Sequence, residues 1–186
     1  MIVQLREATS NDVIGIANLH AKNWQQNYRG AFSDAFLDND VVGERLEVWT
    51  KRFRTANSNQ LVTLAEDRGK ILGFVCVFLA DHEAYGTLLD NLHVASSAQN
   101  LGIGTRLMAS VAKKCSMVDP DSGIYLWVLQ QNKKAIDFYE ALGGNFIELV
   151  EGIEVGNQKV LKRRYFWPKP SVLYENALQK LKKYER

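Results

Sequence analysis

The stretch Gln99-Asn100-Leu101-Gly102-Ile103-Gly104-Thr105-Arg106 constrains the fold more than any other in the chain. It joins an apolar, strand-like run, Leu88 to Val94, to an amphipathic helical run, Ile103 to Cys115. A strand leading into a helix must cross over to a parallel neighbour, and Ile124 to Leu129 is the apolar run that follows. Two glycines one residue apart let the backbone approach a ligand closely, because neither has a Cβ. The helix that starts there offers unpaired N–H groups and the positive end of its dipole, a combination that holds phosphate. The stretch therefore reads as a pyrophosphate cradle, with plain turn chemistry as the alternative. Two nucleotide motifs are excluded. A triphosphate loop needs Gly-Lys-Ser/Thr, and Gly104 is followed by Thr105-Arg106. A dinucleotide fingerprint needs a third glycine where Leu107 stands, and an acid at the end of the next strand, whereas Asp119 and Asp121 fall in the turn before it.

The chain before the cradle reads as one strand, two helices and three strands. Ile2 to Arg6 alternates as a strand, and Thr9 with Asp12 resembles a capping box. Val13, Ile16, Ala17, His20 and Trp24 recur at helical spacing as far as Asn27, where Tyr28-Arg29-Gly30 breaks the helix. His20 on this stripe reads as a partly buried structural residue rather than a catalytic one. Ser33 or Asp34 caps a second helical region whose start is acidic at Asp34, Asp38 and Asp40. These acids either compensate the helix dipole or attract a cationic substrate. Thr55 to Gln60 is a polar loop, and Leu61 to Glu66 and Ile71 to Ala80 are strands. Asp67-Arg68-Gly69-Lys70 between them predicts a hairpin turn of about three or four residues.

Beyond the cradle helix, Lys113 and Lys114 suit its C-terminal dipole and the Pro120 turn ends it. Asn132 caps a helix with Ala135, Phe138 and Leu142 facing inward, and Gly143-Gly144 stops it. Phe146 to Val150 and Val160 to Trp167 are two strands around the turn Gly156-Asn157. Ser171 caps a terminal helix carrying Val172, Leu173, Leu178 and Leu181. The predicted class is α/β (α+β mixed): a mixed, mostly antiparallel sheet of about seven strands with helices on both faces. Residues 1–168 form the domain, and 169–186 a helical appendage docked on it or on a partner.

Composition narrows the function classes. The 186 residues are 46% hydrophobic and 24% charged, which suits one globular domain with its own core. A net charge of +2 does not point to nucleic acid. Lys180, Lys182, Lys183 and Arg186 crowd the C-terminus, read as a solvated helix face or as a site for an acidic partner. No run reaches the roughly 18 apolar residues of a membrane span, and no secretory leader is visible. Cys76 and Cys115 sit in apolar runs as small buried hydrophobes, which fits a reducing, cytoplasmic setting. No Cys/His cluster has the spacing of a metal site.

A second constellation lies in Asn132-Lys133-Lys134-Ala135-Ile136-Asp137-Phe138-Tyr139-Glu140-Ala141-Leu142-Gly143. Asn132 and Tyr139 share a helix face roughly 10 Å apart. An amide at the helix start can bind a carbonyl of a long ligand, and a phenol two turns on can protonate a leaving group near its other end. The alternatives are a simple cap for Asn132 and a core aromatic for Tyr139.

In this order the two constellations resemble the GNAT superfamily of N-acetyltransferases. Gln99-x-x-Gly102-x-Gly104 is similar to its acyl-CoA pyrophosphate motif. Asn132-x-x-Ala135-x-x-Phe138-Tyr139-x-x-x-Gly143 is similar to its later motif, with Tyr125-Leu126-Trp127-Val128 as the intervening strand. Trp24-x-x-x-Tyr28-Arg29-Gly30 resembles a bacterial branch of the family. The resemblance spans about residues 2 to 168. It implies transfer of an acetyl group from acetyl-CoA to a primary amine by direct attack, without a metal. Leu92, His93 and Val94 would bond the pantetheine arm like an added strand. Gln99, Asn100, Leu101, Gly102, Ile103, Gly104 and Thr105 would hold the pyrophosphate, Asn132 would contact the arm near the thioester, and Tyr139 would protonate the departing thiolate.

An amine must lose a proton before it attacks. Asp90, nine residues before Gln99, is the best-placed base, with an ordinary turn role as its alternative and His93 and Asp34 as weaker candidates. A water chain can also serve. Trp24, Tyr28 and Asp34 are assigned to the acceptor, a small-molecule or peptide amine. Gly143-Gly144-Asn145-Phe146 departs from the Gly-Phe of many relatives, so the following strand either starts later or carries a bulge. A homodimer through the late strands or the terminal helix is expected by analogy. A catalytically silent acyl-CoA sensor or interaction module is the competing class of function.

Overall fold

The structure, a computed structural model, describes residues 2–55, 59–154 and 158–184. Its elements follow the predicted order: β1 (Gln4–Glu7), α1 (Val13–Asn27), α2 (Val41–Arg54), β2 (Gln60–Asp67), β3 (Lys70–His82), β4 (Gly86–Val94), α3 (Ile103–Val118), β5 (Ile124–Leu129), α4 (Lys133–Glu140), β6 (Asn145–Glu154), β7 (Gln158–Trp167) and α5 (Pro170–Leu181). The strands form one seven-stranded sheet in the order β1-β2-β3-β4-β5-β7-β6. Every neighbouring pair is antiparallel except β4 and β5, which run parallel across the α3 crossover. The sheet is thus mixed and mostly antiparallel, as expected.

The unbroken apolar run of β3 dictates the layering. Leu72 to Val77 are all buried, and a strand apolar on both faces needs cover on both. Val75 and Val77 pack with Leu107, Met108 and Val111 of α3. Phe74 and Cys76 face the other way, under Ile16, Ala17 and Trp49 of α1 and α2. Both cysteines are buried free thiols. Leu173 and Ala177 of α5 are fully buried in the α3 layer; burying one leucine contributes on the order of 2 kcal/mol. Among the described residues no helix is long and apolar enough to cross a membrane.

Several local expectations hold with a stated cause. The capping box at Thr9 and Asp12 forms in both directions. Ser33 caps the lead-in to α2, its Oγ accepting from the Phe36 N–H at 3.2 Å. Asn132 caps α4, its Oδ1 accepting from the Ala135 N–H at 3.2 Å. Pairing shifts between Phe146 and Glu148, so β6 carries a bulge, the second of the two outcomes foreseen at Gly143-Gly144.

Other expectations are corrected. The β2–β3 turn is tighter than predicted: Asp67 pairs with Lys70, and Arg68 and Gly69 between them take φ of 51° and 79°. Two left-handed residues match the strand twist, and a glycine supplies one without strain. Helix α5 begins at Pro170 with Lys169 as its extended N-cap, not at a Ser171 cap. Proline suits the first helical position and holds its predecessor extended. In α4 the buried residues are Ile136 and Tyr139, with Leu142 beyond; Ala135 and Phe138 are only half-buried. The apolar face of α4 is broad enough to be shared between the core and an adjacent cleft. The Gly156-Asn157 turn and Arg186 lie outside the described residues, as does Ala56–Ser58 of the polar loop.

His20 lies within the α1–α2 layer, 1% exposed. The Trp49 Nε1–H donates to its Nδ1 at 3.1 Å, which places the ring proton of the neutral form on Nε2. Burial, followed by the charges of His93, Arg45 and Arg52, holds its pKa well below the ordinary histidine value. The folded protein therefore refuses a proton that the unfolded chain accepts below about pH 6.5. Between about pH 6.5 and pH 5, His20 should cost the native state roughly 1 kcal/mol of stability per pH unit. Urea titrations at several pH values check this: His20→Gln should flatten the pH slope by that amount, and an unchanged slope would show that His20 is protonated in the native state.

Candidate active site

The cleft begins where the parallel pair ends. Thr87 pairs with Ile124, Leu88 with Tyr125 and Leu89 with Leu126, and no further pairs form. Strand β4 continues against β3 as far as Val94 opposite Gly73. Its pairing jumps from Cys76–Asn91 to Val77–Leu89, so Asp90 is an extra residue in the ladder. Such a bulge bends and twists its strand. Beyond it the two strands splay around a cleft of roughly 880 Å³, walled by the end of β4, the end of β5, the start of α3 and one face of α4.

The Gly-x-Gly stretch forms one end of this cleft. Gly102 is the N-cap of α3 at φ 76°, a left-handed conformation that favours glycine. No side chain caps the sixteen-residue helix, so the first-turn N–H groups of Ile103, Gly104 and Thr105 keep their donors free of a cap. Gln99 Nε2 donates to the Val94 carbonyl at 3.4 Å, tying the stretch back to β4. A Cβ on Gly104 would lie 3.3 Å from the Phe138 ring, so its absence lets α4 close on α3.

Asn132, Ala135, Phe138 and Tyr139 line the facing wall. Tyr139 is 7% exposed. Burial, with Tyr28 adding to it, pushes its phenol pKa up, so the hydroxyl keeps its proton across the working pH range.

The other end of the cleft is aromatic. Trp24 and Tyr28 stack at 5.4 Å between ring centroids, and Phe32 packs against both. The Arg45 guanidinium lies 4.1 Å above the Trp24 ring and is paired with Glu44. Asp90 Oδ2 accepts from Arg52 at 2.7 Å and from the Asn91 side-chain amide. Both contacts fall on one oxygen, leaving Oδ1 without a donor among the described residues. His93 sits 4.3 Å from His20, ring to ring. Burial and the nearby Arg45 push its pKa down to about 3, so both imidazoles are neutral at physiological pH.

Of the residues singled out from sequence, Trp24, Tyr28, Asp90, Leu92, His93, Val94, Gln99, Asn100, Gly102, Ile103, Gly104, Thr105, Asn132 and Tyr139 all reach this cleft. Leu101 and Asp34 do not line it. Leu101 is 46% exposed on the turn's outer side. Asp34 and Asp38 both pair with Arg29, so two of the three acids of this stretch are engaged within their own segment. Sequence reasoning missed Arg45, Trp127, Lys180 and Tyr184, which also form walls. Trp127 carried a signal, since a tryptophan inside a strand beside the cradle is a natural wall residue.

Comparison with known proteins agrees with this geometry. The Acetyltransferase (GNAT) family profile matches residues 13–144. The uncharacterized N-acetyltransferase YuaI of Bacillus subtilis is 25% identical over 175 residues, covering 92% of this chain and 96% of its own. The PaiA N-acetyltransferase of Thermoplasma acidophilum, crystallised with coenzyme A, superposes with a TM-score of 0.67 at 16% identity, covering 87% of this chain and 98% of its own. Arabidopsis thaliana NAA60, crystallised with a bisubstrate analogue, gives 0.63 at 21% identity, covering 89% and 97%. The family match runs from the first residue of α1 to Gly144, just after α4, so it takes in the cradle and the Asn132–Tyr139 face and shows that this chain belongs to the GNAT family of N-acetyltransferases.

Proposed function

We propose that the protein transfers an acetyl group from acetyl-CoA to a primary amine by direct attack, with Tyr139 as the general acid. The observation that carries this reading is the early end of the β4–β5 ladder, which leaves an unpaired strand edge leading straight to an uncapped helix start. The backbone of Leu92 to Val94 would receive the pantetheine arm as a third strand. The amides at Gly102 to Thr105 would take the pyrophosphate. The coenzyme A bound in the Thermoplasma structure is consistent with this donor.

The proton accounting assigns the remaining roles. The amine nitrogen forms a bond to the acetyl carbon while the carbon–sulfur bond breaks. Asp90 Oδ1 accepts the proton that the amine sheds, directly or through a water. Tyr139 donates to the departing thiolate, whose conjugate thiol has a pKa near about 8.5, and regains its proton from solvent. Because burial raises the phenol pKa, Tyr139 acts chiefly as a pre-placed hydrogen-bond donor whose strength is felt as charge develops on sulfur. His93 is a poor proton acceptor at neutral pH for the reason already given, and Asp34 is outside the cleft and paired with Arg29. The acceptor enters between Trp24, Tyr28 and Asp90 as a small-molecule or peptide amine.

Free-thiol release with acetyl-CoA and a panel of amines tests the activity. Tyr139→Phe should lower kcat by roughly 10²-fold with the KM for acetyl-CoA almost unchanged; unchanged turnover would remove the acid role. Asp90→Asn should lower kcat by roughly 10²-fold near pH 7, and the loss should shrink as pH rises towards the pKa of the acceptor amine. A loss independent of pH would mean that Asp90 serves through its contact with Arg52 rather than as a base.

A further inference from the structure

The C-terminal helix lies outside the family match, yet its last turn reaches the cradle. Leu173 and Ala177 are fully buried and fix α5 against α3, the helix whose N-terminus forms the cradle. Lys180, one turn beyond Ala177, then projects to the cleft wall, as does Tyr184. The Lys180 ammonium stands 4.9 Å from the centroid of the Phe138 ring, the same ring that abuts Gly104. The Tyr184 ring, just past the end of α5, lies 3.0 Å from where a Cβ on Gly102 would be, so the bare glycine gives that ring room as well as adopting its own φ.

The electrostatics of this corner are lopsided. Lys180 is half-buried, and no carboxylate pairs with it among the described residues. Burial and the neighbouring Lys183 both lower its pKa. The uncapped start of α3 adds the positive end of a helix dipole to the same cleft. A partly desolvated cation, a second lysine and a helix N-terminus converge here, and neither of the acids that line the cleft, Asp90 and Asp137, forms an ion pair with Lys180. That arrangement is unfavourable alone and is relieved by an anion.

We infer that Lys180 is a ligand for a phosphate group of the acyl-CoA donor, so that the C-terminal helix supplies a wall of the nucleotide site. The inference rests on the acetyltransferase reading. Lys180 adds a charge-assisted contact to the neutral backbone donors of the cradle, while Tyr184 closes the outer side over Gly102.

Calorimetric titration of coenzyme A into the full chain tests it. Lys180→Ala should weaken binding by about tenfold at low ionic strength, the loss shrinking with added salt, and Lys180→Arg should restore most of it. With S-acetylpantetheine as the acetyl donor, which has no phosphate linking it to a nucleotide, Lys180→Ala should turn over like the unaltered protein. Coenzyme A binding unchanged in Lys180→Ala, or an equal loss with S-acetylpantetheine, would overturn the inference while leaving the acetyltransferase reading intact. No saturable binding of coenzyme A by the unaltered chain would overturn both.

Discussion

Strands β4 and β5 hydrogen-bond over three residue pairs and then part, and the remaining architecture serves that separation. Parallel strands normally continue their ladder, because a buried N–H or C=O without a partner is costly. Here the Asp90 bulge turns β4 away, and the edge from Asn91 to Val94 faces a cleft instead of a strand. Antiparallel pairing with β3 on its other side keeps β4 straight enough to present that edge as a template. On the other flank, β5 stays anchored to β7 along its whole length, from Ile124–Trp167 to Leu129–Lys162. The opening is held by the two halves of the sheet and does not depend on a flexible loop.

The helices give this opening chemically distinct ends. On one side of the sheet, α3 and α4 bring uncapped amides and a buried phenol. On the other, α1 brings stacked aromatics and the neutral His20, and Arg52 of α2 pairs with Asp90 of β4 beside the neutral His93. A long ligand with a charged head and a reactive tail fits such a passage. Neutral imidazoles beside Arg45 and Arg52 also avoid adding further positive charge where, on the proposed reading, an amine docks.

Much of this was legible in the sequence because it is local. Gly102-x-Gly104 and Asn132 through Tyr139 report on backbone conformation and one helix face, which depend on neighbours a few residues away. The order of elements followed from periodicity for the same reason. What escaped depends on distant packing. Nothing near Lys180 shows that α5 lies on α3, so its lysines read as a solvated face. Phe138 and Ile136 were both apolar on α4, and only the placement of the sheet decides which meets the core and which meets the cleft. The pairing of Asp34 and Asp38 with Arg29 is a different case: the helix break at Tyr28-Arg29-Gly30 was legible, but not the direction in which it turns the Arg29 side chain.

Amide hydrogen exchange, followed with and without saturating coenzyme A, tests the central claim most directly. The account predicts slowed exchange at Leu92 to Val94 and at Ile103 to Arg106, with the β1–β2 edge unaffected. Saturable binding that leaves those two segments exchanging as before would contradict it, because the open strand edge and the bare helix start would then not be where the donor sits.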